Sequence, residues 1–169
     1  MLKWLRCNEQ RGGALARRDD RIEQFLAAEK KISQRVRWTT KRRADHAEAR
    51  ASVVPSTGRI LVRGKLVIVA HRTLEPPKYG FSLLFEGERT LALDVNPRRS
   101  HRNILTGKSV IQTHWQRYPH MEAEPDARDL PFQKWLEAFL DRAKITSAHT
   151  IPSPPKGEQL ELELTQWKR

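Results

Sequence analysis

The sequence predicts an α+β fold, with an antiparallel four- to five-stranded sheet flanked by an N-terminal helix and a C-terminal helix. Three observations predict it. Apolar residues recur at helical spacing towards both ends of the chain. Between these stretches they alternate with the period of two that marks strands. Short Gly- or Pro-marked turns join the alternating runs, which favours an antiparallel meander.

The first helix is expected over Ala14–Gln34. Ile22, Phe25, Leu26 and Ile32 fall at helical spacing, Ala27 and Ala28 favour helix, and Asp19 or Asp20 sits near its start. Gly12-Gly13 breaks the chain before it. Ala47–Val54 is the first strand, closed by the turn Pro55-Ser56-Thr57-Gly58. Arg59–Arg72 reads as a long second strand, in which Ile60 and Val62 alternate, Gly64 marks a bend and Leu66–Ala70 is continuously apolar. Tyr79–Phe85 is the third strand, Glu86-Gly87-Glu88 a tight turn and Arg89–Val95 the fourth. Leu91, Leu93 and Val95 share one face of it, Thr90, Ala92 and Asp94 the other.

Pro97–Asn103 is a basic loop, Val110–Trp115 a candidate fifth strand and Met121–Asp129 an acidic loop. Pro131–Ala143 is the second helix. Pro131 suits a first helical position, and Phe132, Trp135, Leu136, Phe139, Leu140 and Ala143 form one apolar stripe, which reads as core. Ile151–Gly157 is a Pro-containing linker. After it Leu160, Leu162 and Leu164 alternate with Glu161, Glu163 and Thr165, a tail able to add an edge strand or pair with a partner. The expected organisation is a flexible N-terminus over 1–13, one domain over 14–145, and a linker with its tail over 146–169.

The 169 residues suit one domain able to bury its own core. A single cysteine, Cys7, excludes a disulfide framework and Cys-rich zinc motifs. No apolar run reaches the roughly 18 residues a membrane span needs, and no long apolar segment follows the charged N-terminus. The expectation is a soluble, cytoplasmic protein. Its 32 Lys and Arg against 20 Asp and Glu give a net charge of +12, of which +9 falls in residues 1–63. The densest run, Arg35 to Arg43, holds Arg35, Arg37, Lys41, Arg42 and Arg43 around Trp38. Clustered cations release counterions from a phosphate backbone, and Trp38 could stack on a base. An acidic protein would suit the same surface, and a solvated face that serves solubility is the plainer reading.

There are six histidines. His101, His114 and His120 lie in or beside loops, among Arg98, Arg99, Arg102, Lys108 and Arg117. A neutral imidazole can take a proton from a hydroxyl, a protonated one can give a proton to a leaving oxygen, and Arg or Lys can stabilise the charged transition state. RNA carries its own 2′-hydroxyl nucleophile, so this chemistry needs no metal or other cofactor. A metal reading competes, with Asp94 joining the three histidines, but their spacing matches no recurrent metal motif. Each histidine can equally be an ordinary loop residue. His71 ends the second strand; His46 and His149 read as surface residues.

The segments Tyr79–Phe85, Glu86-Gly87, Leu91–Asn96, Ser100–Asn103, Gly107 and Thr113–Tyr118 resemble the TumE-like toxins of prokaryotic toxin–antitoxin systems. In that group an apolar strand, a tight turn and a strand ending near an Asp precede a His-containing loop and a further His-rich segment. The resemblance covers about a quarter of the chain. Gln116 stands where the second histidine of a His-x-His pair is expected, and the preceding loop is richer in Arg. The resemblance implies a ribonuclease with an antitoxin partner.

The first expectation is therefore a toxin-like, metal-independent ribonuclease. His101, His114 and His120 are its acid/base candidates, and Arg98, Arg99, Arg102 and Lys108 hold phosphate. The run containing Arg35, Arg37, Trp38, Lys41, Arg42 and Arg43 extends the footprint. The alternatives are a non-catalytic nucleic-acid-binding or effector-complex subunit, and an adaptor that binds an acidic protein.

Overall fold

The computed structural model describes residues 18–40, 45–57, 64–72, 74, 76–96 and 100–156. In chain order the described elements are helix α1 (18–27), β1 (Lys30–Ile32), β2 (Trp38–Thr40), β3 (His46–Pro55), β4 (Gly64–His71), β5 (Lys78–Phe85), β6 (Glu88–Val95), β7 (Ser100–Arg102), β8 (Ser109–Ile111), β9 (His114–Arg117), β10 (Ala123–Pro125), helix α2 (Phe132–Arg142) and β11 (Ile145–Ser147).

Strands β3 to β6 form the expected antiparallel meander, in continuous register from His46↔His71 through Phe81↔Leu93. It is the centre of a larger sheet. Nine strands run in the order β10-β9-β6-β5-β4-β3-β1-β11, with β2 beside the other end of β3, and β7 and β8 form a separate hairpin. Four to five strands is therefore an underestimate. The sheet is also mixed, because β1 pairs in parallel with β11 through Lys30↔Ile145. The added strands are mostly three residues long, too short for a period of two to stand out in sequence.

The first helix stops well before Gln34. Its last helical residue is 27, and the chain re-enters the sheet as β1. Lys30 is fully buried there, and its ammonium donates to the carbonyls of Phe25 (2.8 Å) and Leu26 (3.2 Å) and to that of Ala28. A cation on these carbonyls satisfies acceptors that a helix end leaves open. Ile32 keeps its apolar role, but as a buried strand residue.

Two further boundaries move. Val110–Trp115 is two strands, since Gln112 adopts a left-handed backbone (φ 77°) and breaks the run. Pro131 is the N-cap, extended at φ −67° and ψ 161°, and α2 starts at Phe132. Parts of the expected loops 97–103 and 121–129 are the strands β7 and β10.

Both helices cover one face of the sheet. Ile22, Phe25 and Leu26 from α1, and Trp135, Leu136 and Phe139 from α2, join Leu66, Ile68, Phe81, Leu83, Leu93 and Trp115 in one core. Phe139 stacks on Phe81 and Trp115, with ring centroids 5.6 and 6.0 Å apart. At Gly64 the absence of a side chain matters: a Cβ would lie 2.3 Å from Cζ of Phe25. Beyond α2, β11 lies in the sheet, Ile151 is buried and the Pro152 carbonyl accepts the Trp38 indole N–H at 2.8 Å. The N-terminus over 1–13 and the leucine-alternating tail at 160–164 lie outside the described residues. No described helix is long and apolar enough to cross a membrane.

Candidate functional site on the open sheet face

Alternation along the strands sends every second side chain to the face that the helices leave uncovered, as antiparallel sheets permit. Register then lines up polar groups in rows across it. One row runs Glu48↔Val69↔Gly80↔Asp94↔His114. The next runs Arg50↔Val67↔Ser82↔Ala92↔Gln116, and a third begins His46↔His71↔Lys78. Arg50 and Lys65, with Ser82 and Leu84, line a shallow depression on this face.

His114 is the most enclosed group, with its side chain 1% exposed. Its Nδ1 lies 2.8 Å from the Gln112 carbonyl, to which it donates. Nε2 is 3.7 Å from Oδ2 of Asp94, the group opposite it in register, and makes no hydrogen bond among the described residues. Gln112, in the left-handed region at φ 77°, presents that carbonyl to the ring two residues on.

The hairpin β7–β8 brings His101 over this point. Its turn uses Gly107 at φ 67° and opens at Asn103, whose side-chain amide pairs with both backbone groups of Ala123 on β10, at 3.1 and 2.6 Å. Glu122 accepts the Leu105 N–H at 2.9 Å. The His101 ring is half-buried, its centroid 5.4 Å from that of His114. Gln116, on the same face as His114, bridges the group. Its Nε2 lies 3.2 Å from Nδ1 of His101 and donates to Met121 O at 3.0 Å, while its Oε1 accepts from Arg89 at 3.0 Å. The position noted for departing from a His-x-His pair thus holds an amide in contact with the His101 ring.

The other sequence candidates are spread more widely. His120 is exposed in the turn after β9, and among the described residues no hydrogen bond or ring contact joins it to His101 or His114. Arg102 and Lys108 are exposed on the hairpin beside His101. Arg35 and Arg37 are exposed between β1 and β2. Trp38 is half-buried against Phe132, with ring centroids 5.9 Å apart. Lys41, Arg42, Arg43, Arg98 and Arg99 lie outside the described residues.

Sequence reasoning overlooked a second cluster. Asp45 accepts from His46 Nδ1 at 2.8 Å, and His71 Nε2 lies 3.3 Å from the other carboxylate oxygen. Burial and the neighbouring His46 hold the His71 imidazole below its usual pKa, and the His46 hydrogen bond holds the Asp45 carboxyl below its own. Its signal was two histidines near the matching ends of adjacent strands. No family model, curated protein or solved structure matches this chain.

Proposed function

We propose that this chain is a toxin-like ribonuclease that cleaves RNA at the open sheet face without a metal, using His101 and His114 to move the proton. The observation that carries the reading is the pair of imidazoles 5.4 Å apart, one buried and one half-exposed, beside a carboxylate and exposed cations. The toxin-like element of the reading rests on the resemblance of residues 79–118, and with it an acidic antitoxin as partner and a cytoplasmic setting.

In this reading the RNA backbone lies along the hairpin, its phosphates against Arg102 and Lys108. The 2′-oxygen attacks phosphorus and gives its proton to a neutral imidazole. The bond from phosphorus to the 5′-oxygen breaks, and that oxygen takes a proton from an imidazolium. The products are a 2′,3′-cyclic phosphate and a 5′-hydroxyl. His101 is the accessible imidazole. His114 lies behind it, where a proton on its Nε2 would sit between that nitrogen and Asp94.

The test is incubation of the purified protein with RNA in excess chelator. Cleavage with a cyclic phosphate product, lost in His101→Ala and on a substrate with a 2′-deoxy residue at the cut site, is expected. RNA that is bound yet stays intact would sink the reading and leave a binding module.

A further inference from the structure

We propose that Asp45, His46 and His71 form a binding site for one divalent transition-metal ion, zinc by the character of its donors. The site is separate from the His101–His114 pair and does not rest on the ribonuclease reading. His71 lies on β4 and His114 on β9, three strands across the sheet, which at the usual strand spacing is about 14 Å.

The backbone builds the site. His46 and His71 are paired residues at the end of the β3–β4 hairpin, so both rings rise from the same face of neighbouring strands. Their centroids are 4.5 Å apart and the rings are tilted by 59°. Asp45 closes the third side, and its backbone is tied down by the Arg72 N–H, which donates to the Asp45 carbonyl at 2.7 Å. One donor atom from each of Asp45, His46 and His71 lies within 4.8 Å of the other two.

That spacing is close to what a metal requires. Two donors each 2.0–2.1 Å from a tetrahedral ion lie roughly 3.3 Å apart. His46 Nδ1 lies 2.8 Å from Oδ1 of Asp45, and His71 Nε2 lies 3.3 Å from its Oδ2. Two imidazoles with one carboxylate are borderline donors that suit zinc and its neighbours better than magnesium or calcium. Three protein ligands leave a fourth position, and it would face solvent, since the Asp45 and His46 side chains are 41% and 28% exposed.

The surrounding charge is tolerable. Lys78 stands opposite His71 in register, but its ammonium ends a flexible stem and can turn away. Arg72 is drawn elsewhere, to the Lys156 carbonyl at 3.0 Å. Without metal the carboxylate accepts a hydrogen bond from His46 Nδ1. Binding would displace that proton, as metal binding to ionisable ligands does.

The experiment is calorimetric titration of zinc into the full, chelator-treated chain at neutral pH, with cobalt absorption as a readout of geometry. One ion per chain is expected. Asp45→Asn, which preserves shape, and His71→Ala should each weaken binding at least tenfold, whereas His101→Ala and His114→Ala should not. On the unaltered protein, cobalt should broaden the histidine ring signals of His46 and His71 in NMR spectra and spare those of His101 and His114. No uptake at millimolar zinc, undiminished affinity in Asp45→Asn, or broadening centred on His101 and His114 would each overturn the proposal.

Discussion

His101 and His114 face each other across a gap between two sheets: one ring rises from β7 of the small hairpin, the other from β9 of the large sheet, with centroids 5.4 Å apart. Their geometry is therefore set by whatever holds the hairpin down, and Asn103 does so through its two bonds to Ala123. Asn103→Ala should leave RNA binding nearly unchanged but reduce the turnover number more than it raises KM. A misplacement near 1 Å can cost about 10²-fold in rate. Steady-state kinetics beside a binding isotherm checks this, and equal changes in both constants would count against a positioning role.

Within the pair itself, His101→Ala and His114→Ala should each slow cleavage by roughly 10²–10⁴. His120→Ala, exposed and outside the pair, should stay within a few-fold of the unaltered protein. Single-turnover cleavage of a labelled RNA gives the comparison. A His120 variant as damaged as the other two would return His120 to the site.

RNA affinity should fall steeply with salt. Each phosphate contact on a single strand contributes about 0.7 to the slope of log affinity against log salt. Replacing the exposed Arg102 and Lys108 by Gln should flatten that slope and weaken all sequences alike, as should Arg35 and Arg37 replaced together. Fluorescence anisotropy between low and physiological salt measures it, and an unchanged slope would remove those residues from the footprint.

The core contains a position with no room to spare. Gly64→Ala places a methyl group 2.3 Å from Cζ of Phe25, a ring that already packs on Phe85 at a centroid distance of 4.8 Å. Overpacking of this kind costs about 1–3 kcal/mol. Phe25→Leu combined with Gly64→Ala should recover part of the loss seen with Gly64→Ala alone. Urea midpoints of Gly64→Ala, Phe25→Leu and the double variant decide it, and simple additivity would show that the two residues do not compete for the space.

Buried Lys30 makes stability depend on pH. Burial lowers its pKa from 10.5 to about 8. Between those values the unfolded chain holds more of this proton than the folded one does, so stability rises with pH through that window. Lys30→Met should remove this part of the slope. Urea midpoints at pH 8 and pH 10 for both proteins test it, and identical slopes would mean that Lys30 titrates as it does in the unfolded chain.

The meander β3–β6 and helix α2 were legible because each runs for eight or more residues, long enough for its period to show. β1, β7, β10 and β11 have three residues each, and long-range pairing rather than local pattern makes them strands. In the first helix, Ile32 continued the apolar spacing past the true end, and the capping by Lys30 left no trace in the pattern. His101 and His114 could be singled out from their basic surroundings, but the role of Gln112 depends on a backbone angle and that of Asn103 on a tertiary contact. His46 and His71 are 25 positions apart in sequence and become neighbours once the β3–β4 register is fixed.

The parallel bond between β1 and β11 gives the chain a timetable. During synthesis β1 is made before the meander, and β11, the strand that covers its outer edge, is made after it. The strands of the meander meet their partners as each successive one emerges, so that part of the sheet can close first. Until Lys144 and Ile145 arrive, the Lys30 amide lacks the carbonyl that it binds at 2.8 Å. The nascent molecule thus carries an open seam along β1, available to chaperones or to neighbouring chains, until Ile145–Ser147 has been made and can pair with it.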